Sequence, residues 1–205
     1  MPPSPHRPPS REETLALGGL FQLLGRLLCE ELNPGLIDLL QAPDINAILI
    51  ANHPNCAAYL ARPWDECEFE RAATEYCRLF VLPGGISPLA GAWVKKGDQS
   101  PGVGIDQLVR AVSSEIELPL PRSVETMPSE HGGRLLSIGG RLMCASDPGI
   151  ASQGLTFLQA TTIPWMKSFS QALSQVPESP FYPAIGHVLQ SAYHQYFDSV
   201  PPRSV

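Results

Sequence analysis

The chain has 205 residues, of which 43% are hydrophobic and 17% are charged, and it contains 22 prolines. This length suits one domain of generous size, and the apolar fraction is large enough to form a core. The formal net charge of −6 and the pI near 5.3 argue against nucleic-acid binding, which needs a basic surface. An acidic surface would instead attract a basic peptide.

The cysteines and histidines indicate neither a metal site nor a disulfide framework. The five cysteines form no Cys-x-x-Cys pair, and the five histidines form no His-x-x-x-His pair. We therefore expect reduced thiols, no metal and no cofactor. No signal peptide is visible, and no stretch approaches the roughly 20 apolar residues of a membrane span. The predicted location is cytoplasmic, with no integral membrane segment.

The N-terminal part of the chain begins with a proline-rich segment, 1–11, that we predict to be disordered. Ser10 and Glu13 have the spacing of a capping box, which marks the start of a helix. Apolar residues then recur with a helical period as far as Leu32. Two short helices follow, at 36–40 and 45–51, and the ambiguous segment 52–63 contains a helical fragment at 56–60.

A longer helix is predicted for 65–80, where an apolar stripe faces away from a row of glutamates. The segment 81–97 that follows is rich in proline and glycine, yet it also holds apolar residues such as Leu82, Leu89 and Trp93. An apolar loop of this length must pack on the helices or bind a partner, and the sequence leaves both open.

After a helix at 101–117 and a connector, the segment from Pro128 to Leu142 contains Gly-Gly-Arg-Leu twice. The two glycine pairs are about two helical turns apart, so they fall on roughly one side of a helix. Each glycine costs roughly 0.5–1 kcal/mol of helix propensity, which is tolerable where a neighbouring helix crosses with its backbone close. We predict a buried central helix whose first turn presents Glu130 and His131 at the surface. A glycine-rich phosphate loop is the rival interpretation, but no strand precedes it and no Lys-Ser/Thr follows.

The C-terminal third contains three predicted helices. Asp147 opens the first, Pro164 interrupts it, and Trp165 begins the second. The third follows Pro180 and ends near Phe197.

The predicted fold is all-α, because no segment shows the alternation of a half-buried strand. We expect a single-domain helical bundle, 12–198, of roughly eight to ten helices joined by Pro/Gly-rich connectors. The tail, 199–205, is predicted to fray.

Chemistry-bearing motifs are scarce. The chain has neither a Gly-x-Ser-x-Gly elbow nor a His-Glu-x-x-His motif. Cys77 is more typical of a core residue than of a nucleophile. Glu130 and His131 alone suggest acid–base work, although adjacent residues on a helix point about 100° apart. These observations favour a binding module over an enzyme.

Three blocks of sequence stand in a fixed order. The first reads Glu-Tyr-Cys-Arg-Leu-Phe-Val-Leu-Pro at 75–83, and the second reads Pro-Ser-Glu-His at 128–131. The third combines Ile-Pro-Trp at 163–165 with Pro-Phe-Tyr at 180–182. Together they resemble the TorD/DmsD/NarJ family of cytoplasmic chaperones, which help to mature molybdenum-cofactor oxidoreductases, and the DmsD/TorD branch in particular.

The resemblance implies an all-helical protein that binds the twin-arginine signal peptide, or the cofactor-free catalytic subunit, of a molybdopterin oxidoreductase. By matching position, it implies a peptide groove lined by Tyr76, Leu79, Phe80, Pro88, Leu89, Trp93, Glu130 and His131. An acidic groove edge can pair with arginines, and apolar loop residues can hold the hydrophobic part of a signal peptide. Trp165, Phe169 and Tyr182 lie on apolar helix stripes, so we assign them to the core.

Two further hypotheses stay open. One is a NarJ-like assembly factor that grips the apo-enzyme of a non-exported subunit. The other is a small α-helical enzyme that uses His131 as a base. The oligomeric state is expected to be either a monomer or a helix-swapped dimer, since flexible connectors make swapping feasible.

Overall fold

A computed structural model describes residues 9–94, 101–115, 119–177 and 179–197. This part of the chain is all-α, as predicted, with ten α-helices and no β-sheet. The helices are α1 (Arg11–Cys29), α2 (Pro34–Gln41), α3 (Pro43–Asn52), α4 (Asn55–Ala61), α5 (Glu66–Tyr76), α6 (Pro101–Glu115), α7 (Arg122–Glu125), α8 (Gly132–Met143), α9 (Pro148–Ser174) and α10 (Tyr182–Tyr196). The tail 199–205 and most of the segment 1–11 lie outside the described residues, so their predicted disorder stays a prediction.

The centre of the fold is a row of helices in which α1 packs on α8, α8 on α9, and α9 on α10. Among the described residues, none of the helices combines the length and apolar character needed to cross a membrane. The connector predicted before the central helix contains a short helix, α7, which the sequence analysis did not find.

The start of α1 is fixed by the predicted capping box. The Glu13 N–H donates to Ser10 Oγ (3.2 Å), and the Ser10 N–H donates to the Glu13 carboxylate (2.6 Å). The Arg11 guanidinium then donates to the carbonyl oxygens of Met143 (3.1 Å) and Ala145 (2.6 Å), at the end of α8. The first turn of α1 is therefore attached directly to the last turn of α8.

The repeated glycines allow α1 and α8 to touch backbone to backbone. A Cβ atom on Gly133 would lie 2.5 Å from the carbonyl oxygen of Gly25, and one on Gly140 would lie 2.5 Å from that of Gly18. Neither position has room for a side chain. The predicted close crossing of a neighbouring helix is confirmed, and we call this contact the glycine seam.

The first glycine of each pair faces α9 instead. A Cβ atom on Gly132 would lie 2.7 Å from the Trp165 ring, and one on Gly139 would collide with the Leu158 side chain. The doubled glycines therefore serve two neighbours, since adjacent helical positions point in different directions.

The prediction that Pro164 divides the C-terminal region into two helices is wrong, because α9 runs without a break from Pro148 to Ser174. Pro164 has no backbone N–H to donate to the Ala160 carbonyl oxygen, and the helix continues without that bond. The Trp165 indole N–H adds a separate hydrogen bond to the Thr161 carbonyl oxygen (2.9 Å). Packing against α8 and α10 then holds α9 in place. The core assignment of Trp165, Phe169 and Tyr182 is confirmed, since each is at most 1% exposed.

Candidate functional site

A cavity of about 540 Å³ opens between the end of α5, the loop that follows it, and the segment leading into α8. Six of the eight residues predicted for the groove line it: Tyr76, Leu79, Phe80, Pro88, Leu89 and His131. The other lining residues are Val81, Leu82, Pro83, Gly84, Gly85, Ser87, Met127 and Pro128. None of these residues carries a carboxylate, an ammonium or a guanidinium group.

One wall of the cavity is made by a change of helix type after α5. The predicted α-helix over 65–80 ends at Tyr76 and widens into a π-helical turn, Cys77–Val81, in which the Leu82 N–H donates to the Cys77 carbonyl oxygen (2.9 Å). Such π-turns occur frequently at functional sites. Gly84 adopts φ +87°, a left-handed conformation that glycine reaches without strain. The chain thereby reverses direction beside α5.

The rim of the cavity is unusually apolar. Val81 is 63% exposed and Leu82 is 56% exposed, the two largest values among the exposed large hydrophobic residues described. Val81 ends the π-helical turn and Leu82 follows it, and both line the cavity. Exposed apolar groups beside a concave surface are typical of a site that binds a partner or ligand.

The opposite wall is held by backbone hydrogen bonds between the loop and the segment before α8. The Ala90 N–H donates to the Glu130 carbonyl oxygen (3.1 Å), and the Gly132 N–H donates to the Pro88 carbonyl oxygen (2.7 Å). These bonds form an isolated antiparallel bridge. One end of the apolar loop is thus packed on the bundle, while its other end lines the cavity.

Glu130 and Trp93, the remaining two predicted residues, do not line the cavity. The Glu130 carboxylate accepts a hydrogen bond from the Gly91 N–H (3.0 Å). The Trp93 indole N–H donates to the Ser87 carbonyl oxygen (2.7 Å), and its ring contacts Phe169 edge to face, with centroids 5.9 Å apart. Both side chains act as anchors of the loop.

His131 lies before α8 and caps it, so the prediction that the helix already includes this residue and presents it at the surface is wrong. The ring is 5% exposed, and its Nδ1 accepts a hydrogen bond from the Gly133 N–H (3.2 Å). Burial lowers the pKa of His131 to about 4, which makes the ring neutral at neutral pH. Because Nδ1 accepts, the ring proton resides on Nε2.

The thiol of Cys29 lies 3.6 Å from His131 Nδ1, which resembles the spacing of a nucleophile and its base. Burial raises the pKa of Cys29 to about 12, with a further contribution from the charge of Glu30. An activated cysteine requires the reverse, a lowered thiol pKa beside a protonated histidine. The pair is therefore neutral, and it closes one end of the glycine seam.

Cys77 is half-buried and packs against the hydrophobic core. Its Sγ lies 3.6 Å from a carboxylate oxygen of Glu31, and it can donate a weak hydrogen bond there. Desolvation raises the pKa of Cys77, and the nearby Glu31 carboxylate raises it further. The thiol form is favoured over the thiolate here too.

A polar network behind the cavity escaped the sequence analysis. The Tyr182 N–H donates to Ser179 Oγ (3.1 Å), and the Ser179 hydroxyl bonds to the Glu75 carboxylate. The Phe80 ring contacts the rings of Tyr76 and Tyr182, with centroids 5.3 and 5.1 Å apart. Glu75 opens the first sequence block, but nothing in that block indicates a partner more than a hundred residues later.

In the ranges of the chain that the structure describes, no group of three or more His, Cys, Asp or Glu side chains could hold a metal ion. No family model matches the chain, and no curated protein matches it. The functional interpretation therefore depends on the site itself and on the three sequence blocks.

Proposed function

We propose that this protein is a cytoplasmic, client-specific chaperone that assists the maturation of a molybdopterin oxidoreductase before export. Its ligand would be the twin-arginine signal peptide, the cofactor-free catalytic subunit, or both. The observation that supports this proposal best is that six residues, selected from separate motifs, converge on one cavity. Side chains distant in sequence have no reason to share a concave apolar surface unless packing or binding requires it.

The chemistry of the cavity identifies the part of a signal peptide that would fit it. An arginine inside would lose its hydration without meeting a carboxylate, since the lining has no charged group. The hydrophobic stretch of the peptide suits the cavity, and Val81 and Leu82 extend the apolar contact at the rim. The arginines would then lie outside, on the surface of a chain with a net charge of −6.

His131 adds one polar contact to this apolar surface. Its Nδ1 is occupied by the Gly133 N–H, so its Nε2–H is the group that can donate to a ligand carbonyl. A neutral ring whose acceptor nitrogen is occupied is poorly suited to act as a base. This arrangement supports binding over an enzyme that uses His131.

The hydrogen bond between Glu130 and Gly91 favours a second candidate, a NarJ-like assembly factor. Such a protein would hold an apolar surface of the apo-enzyme and would need no carboxylate for arginine. The two candidates differ in whether an isolated signal peptide binds.

Calorimetric titration with three peptides tests the proposal. The first is a twin-arginine signal peptide of a molybdoenzyme, the second has Lys-Lys in place of Arg-Arg, and the third has serines in place of its apolar stretch. We expect saturable binding of the first, weaker binding of the second and no binding of the third. Absence of binding to the first peptide would contradict the signal-peptide proposal, and co-purification with an apo-enzyme would then support the second candidate.

A matched pair of variants locates the binding surface. Leu82→Ser changes the rim, whereas Leu39→Ser changes a leucine of α2 that is 45% exposed and lies outside the cavity lining. We expect Leu82→Ser to weaken peptide binding roughly five- to tenfold, corresponding to the loss of about 1 kcal/mol of apolar contact. Leu39→Ser should bind like the wild type. Equal losses in both variants would exclude this cavity as the binding site.

A further inference from the structure

A second groove, of about 630 Å³, runs along the contact between α9 and α10. It shares no lining residue with the first cavity, and nothing in the proposed chaperone function uses it. Its residues come from three turns of each helix, so the shape is fixed by the packing of two long elements. The two helices are cross-linked by a hydrogen bond from Gln190 Nε2 to Ser174 Oγ (3.0 Å).

The described lining residues of this groove have a charge opposite in sign to the net charge of the chain. The protein has a formal net charge of −6, yet α9 and α10 contain no aspartate and no glutamate. Lys167 lines the groove and is exposed, and it is the one lysine in the part of the chain that the structure describes. The ion pairs found among the described residues do not include it.

Side chains that can donate hydrogen bonds line the same groove. The amides of Gln171 and Gln175 line the groove from α9, and the imidazole of His187 lines it from α10. The His187 ring stacks on that of His53, the residue that follows α3, with centroids 6.1 Å apart. The described lining residues therefore combine a cation with hydrogen-bond donors and include no carboxylate, which complements a negative group.

Three of the other lining residues offer an apolar surface, beside the polar side chains of Ser170, Ser174, Gln190 and His194. Tyr193 and Phe197 form a buried floor, at 8% and 4% exposed, and Ile163 is 40% exposed at one end. The Tyr193 hydroxyl is already bonded to the Thr162 hydroxyl, so this ring presents its apolar face. A ligand that fills the groove therefore needs both an apolar body and an acidic group.

We propose that the groove between α9 and α10 binds a small amphipathic organic anion. Its aromatic or aliphatic body lies against Ile163, Tyr193 and Phe197, and its carboxylate, sulfonate or phosphate group meets Lys167. The volume of the groove lies in the range of small-molecule sites, roughly 300–1,000 Å³, and its one lysine among the described lining residues matches a ligand with one acidic group rather than an acidic protein segment with several.

Two fluorescent probes with the same aromatic body test this proposal on the full chain. The first, 8-anilinonaphthalene-1-sulfonate, carries a sulfonate, and the second, N-phenyl-1-naphthylamine, carries no charge. We expect the sulfonate probe to bind at least five times more tightly. Lys167→Gln should weaken the sulfonate probe by a similar factor and leave the neutral probe unchanged.

Two control variants separate a specific site from general attraction. Arg71→Gln removes a positive charge that is 68% exposed on α5, and Leu82→Ser alters the first cavity. Neither should change the affinity for the sulfonate probe. In NMR titrations of the wild type, the imidazole signals of His187 should shift while those of His131 stay in place.

Equal affinity for the two probes would overturn the proposal, and so would unchanged sulfonate-probe affinity in Lys167→Gln. An equal loss of sulfonate-probe affinity in Arg71→Gln, or any loss of it in Leu82→Ser, would overturn it as well. Displacement of the sulfonate probe by an acidic helical peptide of at least tenfold higher affinity would also overturn it, because the occupant would then be a protein segment.

Discussion

The glycine seam and the apolar cavity meet at His131, yet glycine and leucine serve opposite purposes in them. In the seam, Gly133 removes the space between two helices, and the leucines around it are fully buried. At the cavity, Gly84 lets the chain turn away and has open space beside it, while Leu82 is mostly exposed. Residue type alone therefore does not distinguish a packed interior from a binding surface.

The difference has a direct energetic meaning. An atom added in the seam would overlap with atoms of the facing helix, because protein interiors are packed as densely as organic crystals. An atom changed at the cavity rim faces solvent, so it affects what binds there more than whether the chain folds. Substitutions in the two regions should separate stability from binding.

The largest expected effect is at the seam, for Gly133→Ala. The new Cβ atom would lie 2.5 Å from the Gly25 carbonyl oxygen and would collide with the Cys29 thiol, which we expect to lower the free energy of unfolding by about 3 kcal/mol. Gly19→Ala is the matched control, because a Cβ atom there has no neighbour within 4 Å. It should raise stability by roughly 0.5–1 kcal/mol through helix propensity. Denaturant unfolding measures both, and similar changes in the two variants would contradict the seam.

The next effect is pH-dependent and concerns His131. Its pKa is about 4 in the folded state against 6.5 ordinarily, so the unfolded chain binds more protons below pH 6.5. Folding stability should fall by up to about 3 kcal/mol as the pH decreases from 6.5 to 4. His131→Asn retains a capping oxygen without a titrating ring and should lack this part of the loss. Unfolding curves at pH 7, 5.5 and 4.5 test this, and parallel losses in both proteins would assign the acid sensitivity elsewhere.

The smallest effect is expected behind the cavity, for Glu75→Gln. Desolvation raises the pKa of Glu75, so its contribution to stability is present in full below the ordinary pKa of 4.5 and decreases as the pH rises through the folded value. The glutamine keeps an acceptor for the Ser179 hydroxyl and has no charge to desolvate. We expect a slight gain in thermal stability at pH 7 that disappears at pH 4. A loss of stability at pH 7 would show that the charge itself is needed.

Local rules predicted the helices well where one residue decides the outcome. The capping box at Ser10 and the close approach at the repeated glycines are of this kind, since each follows from short-range sterics or hydrogen bonding. Pro164 misled the prediction because packing against two other helices holds α9 together across the missing hydrogen bond. Such tertiary compensation has no signature in a local window.

The sequence indicated which residues line the candidate cavity, but it did not indicate which contacts several of these residues make. The motifs selected residues that line one cavity, but they did not show that Glu130 would bond to Gly91 or that His131 would turn back to cap α8. Cys29 Sγ and His131 Nδ1 lie 3.6 Å apart although the two residues are 102 positions apart in the sequence. Contacts of this kind depend on how helices pack, which residue patterns alone do not specify.

The glycine seam also determines when the α1–α8 contact can form during translation. Helix α1 is translated before α8, and Gly140 is translated more than a hundred residues after Gly18. The contact between these two glycines can form only when both helices have been made. Until then Phe21 and Leu24, both almost fully buried in the finished fold, have no partner from α8. Closure of the fold is a late event that joins its earliest helix to one made much later, and long-range closure of this kind folds slowly and exposes nascent chains to aggregation. During most of its own synthesis, a protein proposed to bind incompletely matured clients would itself lack the α1–α8 contact.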